Sequence, residues 1–457
     1  MTNIKNSTFT VLGAGRSGIA AAKLLKRNGA SVFLSDESNG KRLKYFDENI
    51  FKETGIEFEL GRHSERVFES DVIIKSPGIP AANEIIIKAA KLGKKIYSEI
   101  EAAFWFCKAP VIAITGTNGK TTTTILTGEI FRNAGIDTKV CGNVGLAFSE
   151  IVEEAEEDSV VVLEVSSFQL NDIEKFKPKV SVIMNITPDH LEWHKSFKNY
   201  LAAKLNIMKN QTKSDYAVIN YDDNILKQAV NKYSPEKSFF SIKENLKNKD
   251  IQSGSYTENG KVIYFDKSKK TEEEIMYTRE INIRGNHNFY NSLASIISAR
   301  AFEIKKEVIK KTLSEFKGVE HRIEFVRELN GIKFYNDSKA TNTDSLIVAL
   351  ESFEGDIVLI LGGRESGNDY DKVSEIVKRK VKTIVAIGET KDKIYNYFSK
   401  SVKVIDSGSM GDAVKKAYKA AGKDDVVLLS PACKSFDMFE SFEHRGIEFK
   451  KEVNLLN

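Results

Sequence analysis

The stretch IAITGTNGKTTTTIL, residues 112–126, joins an apolar run, a glycine-bracketed turn and a helix-like continuation. Within it, Gly116, Thr117, Asn118, Gly119, Lys120, Thr121 and Thr122 are the residue types of a phosphate cradle. Backbone N–H groups of such a loop wrap phosphate oxygens, Lys120 carries positive charge to the outer phosphates, and the Thr121 hydroxyl oxygen suits Mg2+. The loop departs from the GxxxxGK[ST] pattern because Ile114 stands where the first glycine belongs, which makes it a shortened variant. A second glycine run, Gly13-Ala14-Gly15-Arg16-Ser17-Gly18, follows the apolar TFTVL and opens a helical pattern, with Asp36 lying 23 residues after Gly13 at the end of the next apolar run. That is the dinucleotide fingerprint. Its physics is broader than NAD, since a glycine turn at a helix N-terminus offers N–H groups and a positive dipole end to any diphosphate, a UDP group included. The plain alternatives are glycines that serve only close strand-to-helix packing in the run at 13–18, and an exposed turn with a solvated lysine at 116–122.

A phosphate loop needs a cation held by hard oxygen ligands. Glu164 closes the apolar run VVVLE, where an unpaired carboxylate is costly, and is expected as a metal ligand beside the loop. The segment NITPDHLEWH places His190 after another apolar run, and AAKLNI offers Lys204 on a following helix. Taken alone, His190 reads as a hydrogen-bonded structural histidine. Beside Glu164 and the phosphate loop it reads as a ligand.

These side chains need strand ends to stand on. A chain of 457 residues suggests three domains at roughly 150 residues each. Short β-branched runs (TFTVL, ASVFLSD, SDVIIKSPG) alternate with helical patterns such as SGIAAAKLLKRNG, stopped by Gly29, and predict a parallel α/β unit. A helix in EIEAAFWFCKAP ends before Pro110 and hands over to VIAIT, so the first domain is set at 1–108. The second, 109–318, takes its strands from VIAIT, SVVVLEVSS and KVSVIMNIT, while the Lys- and Asn-rich stretch 231–280 reads as a polar excursion with short strands such as GKVIYFD. A third α/β domain, 319–457, follows from IKFYNDS, DIVLILGG, TIVAIGE, VKVIDSG and DVVLLSP. The 68 basic and 64 acidic residues are well mixed, for a net charge of +4, so no basic arm recommends nucleic acid or a membrane surface and small molecules are the expected partners. Cys107, Cys141 and Cys433 form no CxxC pair, which argues against a disulfide framework and suits a reducing cytosol. The N-terminus shows no charged start followed by an apolar core, and no apolar run approaches the roughly 18 residues of a membrane span. A soluble, cytoplasmic, monomeric protein is expected.

Beyond these physical readings, the sequence resembles the Mur ligases of peptidoglycan synthesis, ATP-dependent enzymes that add amino acids to a UDP-muramyl precursor. The motifs that carry the likeness are GTNGKTT, LEVSSFQL, NITPDHLEWH, AAK, GNHNFYNSLAS, EHR, YNDSKATN and LSPACKSFDMFESFEHRG, in that order across nearly the whole chain. The resemblance implies a three-domain α/β architecture: a Rossmann-like N-terminal domain for the UDP substrate, a P-loop-type central ATPase domain, and a Rossmann-like C-terminal domain for the incoming amino acid. It implies ATP and two Mg2+ ions. Lys120 would bind the γ-phosphate, Thr121 and Glu164 would hold one Mg2+, and His190 and Lys204 would serve the second, with Lys204 carbamylated so that an anionic oxygen replaces a repelling ammonium. Asn288 and Asn291 match nucleotide-facing asparagines, Asn291 toward the adenine edge, with a structural pair as the alternative. Arg322 would neutralise charge on the transferred phosphate and Asp337 would meet the ATP ribose. Gly15, Arg16, Ser17, Asp36, Ser76 and Gly78 resemble the UDP site, and Asn143 in CGNVG lies toward the muramyl substrate. Lys339, Thr341, Ser435 and Phe442 match the region that receives D-glutamate, the amino acid to which YNDSKATN and the SPAC motif point. Phe442 reads equally as core packing.

The implied reaction is carboxylate activation. An alanyl carboxylate of the UDP-muramyl precursor attacks the ATP γ-phosphate, an acyl phosphate forms, and the amine of D-glutamate displaces phosphate to make an amide. Water competes for the acyl phosphate, so domain closure is expected. Another Mur ligase or a folylpolyglutamate synthase would share the ATP loop; an NAD-dependent dehydrogenase would leave the loop, Glu164 and His190 without purpose; a scaffold would tolerate loss of the metal ligands. One departure stands out. Three places beyond LGG the resemblance calls for a basic residue, but LGGRESGNDY has Ser366 there. Arg364, whose fork suits a carboxylate, and Lys339 are the candidates to replace that charge, with Arg364 otherwise a solvated loop residue paired to Glu365 or Asp369.

Overall fold

The computed structural model describes residues 4–39, 43, 45–283, 285–365 and 367–457. Compactness divides the chain into two units, Met1–Asn282 with Phe289–Glu315, and Ile283–Asn288 with Phe316–Asn457. Two sheets belong to the first unit and one to the second.

The first sheet has five strands: β1 (Thr8–Leu12), β2 (Ser31–Asp36), β3 (Glu57–Leu60), β4 (Val72–Lys75) and β5 (Lys95–Ser98), in the order β3-β2-β1-β4-β5. All its pairings are parallel. Side chains alternate across a strand, so a sheet covered on both faces needs apolar residues at every position. Phe9, Val11, Leu34 and Ile74 fill one core. Their neighbours Leu12, Phe33 and Ile73 fill the other.

The second sheet runs through β6 (Val111–Thr115), β7 (Thr138–Gly142), β8 (Val160–Glu164), β9 (Val180–Ile183), β10 (Tyr216–Asn220), β11 (Glu236–Ser241), β12 (Ser253–Glu258), β13 (Lys261–Asp266) and β14 (Thr271–Tyr277), in the order β14-β13-β12-β11-β10-β9-β6-β8-β7. The stretch 231–280 is thus part of this sheet. Its last two pairings are antiparallel. Asn259 (φ 50°) and Gly260 (φ 73°) make the left-handed turn between β12 and β13, and Val262 and Phe265 anchor the hairpin in buried positions.

The third sheet contains β15 (Glu324–Leu329), β16 (Ile332–Asn336), β17 (Ile357–Leu361), β18 (Val381–Ala386), β19 (Lys403–Asp406) and β20 (Val426–Leu429), in the order β15-β16-β20-β17-β18-β19. Apart from the antiparallel β15–β16 pair, its strands are parallel.

In each sheet the strand order reverses beside one strand: β1, β6 and β20. A crevice opens at the carboxyl ends of strands where the order reverses. Within the first sheet the loops after β1 and β4 therefore meet, within the second those after β6, β8 and β9, and within the third those after β16, β17 and β20. The first two sheets are joined firmly. The buried Glu101 carboxylate, on the helix Glu99–Phe104, accepts the backbone N–H groups of Glu174, Lys175 and Phe176 at 3.0, 2.9 and 2.8 Å. Among the described residues no helix is long and apolar enough to cross a membrane.

Candidate active site

At the first crevice, Gly15, Arg16, Ser17, Asp36, Ser76 and Gly78 all line one open cleft of about 380 Å³. The helix Arg16–Arg27 starts there with Gly15 as its cap and no side chain on its first N–H groups, which leaves them and the positive helix end for an anion. Close approach explains the glycines: a Cβ on Gly13 would lie 2.5 Å from Ser76 Oγ, and one on Gly18 would lie 1.9 Å from the Gly13 carbonyl oxygen. Asp36 accepts the Ala14 and Ser38 N–H groups at 2.6 and 2.7 Å, so its carboxylate shapes the glycine turn. Arg16 reaches out of the cleft and donates to the carbonyls of Gly142 (3.3 Å) and Gly145. Asn143, in the loop so held, donates to Glu164 Oε1 at 2.7 Å. His63 also lines the cleft, brought by the chain beyond β3, and nothing in its sequence context signalled it.

At the second crevice, the loop 116–119 leaves β6 and ends on the helix Lys120–Asn133, capped by Gly119 in the left-handed region (φ 87°). Gly116 (φ 152°) lies against β9, where a Cβ would sit 2.8 Å from Met184 Cβ. Asn185 grips the loop from both sides, accepting the Asn118 N–H at 2.8 Å and donating to its carbonyl at 3.0 Å. Thr117 accepts the Thr187 N–H at 3.0 Å and shares a hydrogen bond of 3.0 Å with the Tyr200 hydroxyl. Thr121 and Thr122 are buried in the first turn of the helix. Lys120 Nζ folds back to donate to the carbonyls of Gly116 and Thr117 at 2.9 and 2.8 Å. Asn185 was passed over inside NITPDH, although an amide beside a glycine loop is a recognisable signal.

Glu164, 1% exposed, stands at the end of β8 in register with Ile114 of β6. Asn143 engages one carboxylate oxygen; the other, Oε2, is buried without a partner among the described residues. A buried carboxylate oxygen with nothing donating to it suits a cation. Lys204, 2% exposed, donates to the Gly116 carbonyl at 2.8 Å and to Thr115 Oγ1 at 3.4 Å. Burial, with the Lys120 charge second, pushes its amine pKa well below the usual value, while Asp189 and Glu164 act the other way. His190, half-exposed and left-handed (φ 53°), packs its ring on Phe168 at 4.9 Å. Its Nε2 lies 3.6 Å from Asp189 Oδ2 and its Nδ1 3.8 Å from Glu192 Oε1, so the ring stands among carboxylates. Asn291 is buried, accepts the Thr123 hydroxyl at 3.1 Å and backs Gly119, whose added Cβ would lie 2.6 Å from Asn291 Oδ1.

In the second unit, Asn288 sits in the first turn of the helix Asn286–Arg300 and donates its N–H to the Gly285 carbonyl at 2.9 Å. Asp337 is fully buried after β16; it accepts the Ser430 hydroxyl at 2.8 Å and the Ile323 N–H at 3.3 Å, and burial raises its carboxyl pKa to about 7. Arg322 is partly buried, with its Nε unpartnered among the described residues. Lys339 lies 5.5 Å from the Phe442 ring. Thr341 is half-buried in the same loop and Ser435 is buried after β20. Arg364, exposed after β17, bridges to Lys434 through its backbone N–H at 2.9 Å. Glu365 pairs with Lys393 at 3.0 Å instead of with Arg364, and Asp369 accepts the Asp371 N–H at 3.0 Å. Ser366 lies outside the described residues. Arg445, 1% exposed, was missed: it donates to Ser338 Oγ, the Ser338 carbonyl and the Cys433 carbonyl at 2.9, 2.7 and 3.0 Å, clamping the loops after β16 and β20 together.

Paired glycine cradles on adjoining sheets, with a buried carboxylate oxygen that suits a cation, are the geometry of an enzyme that takes phosphorylated ligands, and the chain belongs to the Mur ligase family of ATP-dependent ligases. Family patterns described as Mur ligase middle domain, Mur ligase glutamate ligase domain and MurD N-terminal domain match residues 114–299, 321–433 and 9–85. The chain is similar to proteins named UDP-N-acetylmuramoylalanine–D-glutamate ligase from Salinibacter ruber (42% identical, 99% of this chain and 99% of that one) and Chloroherpeton thalassium (44%, 98% and 98%). In fold it matches the solved UDP-N-acetylmuramoylalanyl-D-glutamyl-2,6-diaminopimelate–D-alanyl-D-alanyl ligase from Acinetobacter baumannii, with a TM-score of 0.60, 15% identity and coverage of 98% and 92%.

Proposed function

We propose that this chain joins D-glutamate to the alanyl carboxylate of UDP-N-acetylmuramoyl-L-alanine, with ATP as the phosphoryl donor, in peptidoglycan synthesis. The observation that carries this reading is identity above 40% over essentially the full length of proteins bearing that name. The separate cradles support it, because a UDP-sugar and ATP each bring a polyphosphate to the same molecule. We assign 1–108 to the UDP substrate, 109–318 to ATP and 319–457 to the amino acid, and place the reaction in the cytoplasm with no macromolecular partner.

Residues 116–122 would hold the ATP phosphates, with Asn288, Asn291, Arg322 and Asp337 serving the rest of the nucleotide. The cleft at Gly15 would hold the UDP group, with Asn143 facing the muramyl end. Thr121, Glu164, His190 and Lys204 would hold two Mg2+ ions, and the open Glu164 Oε2 fits that role. Bound Mg2+ would offset charge on the transferring phosphoryl group. Lys204 would serve as its N-carboxylate: the neutral amine adds CO2, forming an N–C bond and losing one proton, and the lowered amine pKa favours that form. In the reaction the alanyl carboxylate oxygen bonds to the γ-phosphorus as ADP leaves. The D-glutamate nitrogen then bonds to the acyl carbon, the C–O bond to phosphate breaks, and the amine gives up a proton. Lys339, Thr341, Arg364, Ser435 and Phe442 would receive D-glutamate. The test is phosphate release with UDP-N-acetylmuramoyl-L-alanine, comparing D-glutamate with L-glutamate, L-lysine and glycine. Turnover confined to D-glutamate is expected; equal turnover with another amino acid overturns the assignment.

A further inference from the structure

Lys75 is the last residue of β4 and is 1% exposed, a costly place for an ammonium. Its Nζ meets three chain segments. It donates to the Ile79 carbonyl at 2.9 Å, closing the turn that places Ser76 and Gly78 at the UDP cleft. It pairs with Asp172 Oδ2 at 2.8 Å, an oxygen with no other partner among the described residues, just beyond the helix Ser167–Leu170 that follows Glu164. It lies 5.5 Å from the centre of the Trp193 ring, on the short helix that begins after His190. Trp193 packs on Phe168 at 4.7 Å, and Phe168 on the His190 ring at 4.9 Å.

We propose that Lys75 is a positioning residue for ligation, holding the UDP-binding turn in register with the segments that carry Glu164 and His190. The proposal rests on the reading of the Gly15 cleft as the UDP site. A wall between two sheets needs no charge: an apolar pair of similar size separates them as well, and replacing a buried ion pair by apolar groups is often neutral or stabilising. What an apolar pair lacks is direction. The Lys75 ammonium is aimed by an acceptor on each side, so the substrate-gripping turn and the metal-facing segments share one reference point.

The experiment compares wild type, Lys75→Met, Lys75→Arg and the double variant Lys75→Met with Asp172→Leu. Binding of UDP-N-acetylmuramoyl-L-alanine and of ADP is measured by calorimetry, kcat at saturating substrates, and stability by thermal melting. Lys75→Met is expected to weaken the UDP substrate about tenfold and to lower kcat at least tenfold while ADP binding stays within about twofold. Lys75→Arg should recover part of both losses. The double variant, which leaves no buried charge unpaired, should recover the melting temperature but not kcat, and it keeps the test open if the single variant folds poorly. Recovery of kcat along with stability in the double variant overturns the proposal, as does a Lys75→Met enzyme with wild-type kcat and UDP-substrate affinity. A wild type that fails to bind the UDP substrate overturns the reading of the cleft itself and the proposal with it.

Discussion

Replacing Lys204 with alanine isolates the chemistry of one buried amine. In the wild type, Lys204 and Lys120 both donate to the Gly116 carbonyl, at 2.8 and 2.9 Å, so two amines crowd together inside the protein. Burial holds the Lys204 pKa well down, which favours the neutral amine that can add CO2. The alanine variant leaves Gly116 its Lys120 donor, so the phosphate loop keeps its support. The fold loses burial of three methylenes beyond Cβ, about 2.4 kcal/mol at ~0.8 each, partly offset by removing a desolvated amine. With Lys204 as its N-carboxylate, as proposed, catalysis would lose an anionic oxygen ligand, and kcat is expected to fall at least 100-fold, about 2.7 kcal/mol. Acetate or formate should restore part of it, because the space left by the stem admits a small carboxylate. The assay is phosphate release at saturating substrates, with and without acetate, beside a thermal melt. Wild-type kcat in the plain variant refutes the reasoning. The sign of the pH effect follows from the same group. The folded pKa of the uncarboxylated amine lies below the ~10.4 of an unfolded lysine, so the unfolded chain binds the extra proton between those values. That contribution to stability is present at high pH and is lost as pH falls through the folded pKa. Lys204→Met should lack this slope.

Gly119→Ala should abolish ATP binding and destabilise the fold by about 1–3 kcal/mol, since its φ of 87° disfavours a side chain and the new Cβ would lie 2.6 Å from Asn291 Oδ1; calorimetry with ADP showing wild-type affinity would count against the cradle. Asp337, raised to about 7 by burial, binds more protons folded than unfolded between about 4 and 7. Its contribution to stability therefore falls as pH rises through that window, and Asp337→Asn should flatten the slope in urea unfolding at pH 4.5 and 7.5, whereas an unchanged slope contradicts the burial argument. Arg364→Ala should raise the KM for D-glutamate at least tenfold, about 1.4 kcal/mol, with KM for ATP and the UDP substrate near wild type; an unchanged KM moves the role to Lys339.

Legibility in the sequence divides along physical lines. Strands buried on both faces announce themselves as apolar runs, and glycines at positive φ cannot be replaced without strain, so β1, β6, β17 and their loops were readable. The β12–β13 hairpin is only half legible: GKVIYFD reads as a short strand, but the stretch around it reads as a polar excursion, although Asn259-Gly260 is a turn signal between two strands. Contacts between distant segments were not readable. Nothing local ties Arg16 to Gly142 or Asn143 to Glu164, separations of 126 and 21 residues, because strand order rather than sequence spacing brings them together. Buried charges such as Lys75 and Arg445 look like surface residues until their acceptors are known.

The cradles are furnished in opposite ways, and the difference suits the ligands proposed for them. In the first, Asp36 accepts the Ala14 N–H and Arg16 donates to carbonyls beside the neighbouring sheet, leaving uncapped helix N–H groups for the proposed diphosphate. Neutral donors suffice for a group that is held and released unchanged. In the second, Lys120 is folded onto its own loop and Lys204 crowds the Gly116 carbonyl, while one Glu164 oxygen has no donor among the described residues. That arrangement is costly: two amines crowd the Gly116 carbonyl, each also reaching a neighbouring oxygen, and one of the two Glu164 oxygens has no donor among the described residues. Under the proposed function, a polyphosphate would give Lys120 an anionic partner, a carboxylate on Lys204 would reverse its charge, and a divalent cation would answer Glu164 Oε2, so each unfavourable feature would be relieved by a component of the reaction. On that reading, the cradle facing phosphoryl transfer is the one whose charged groups already stand where charge would develop, which is the preorganisation that lowers a barrier.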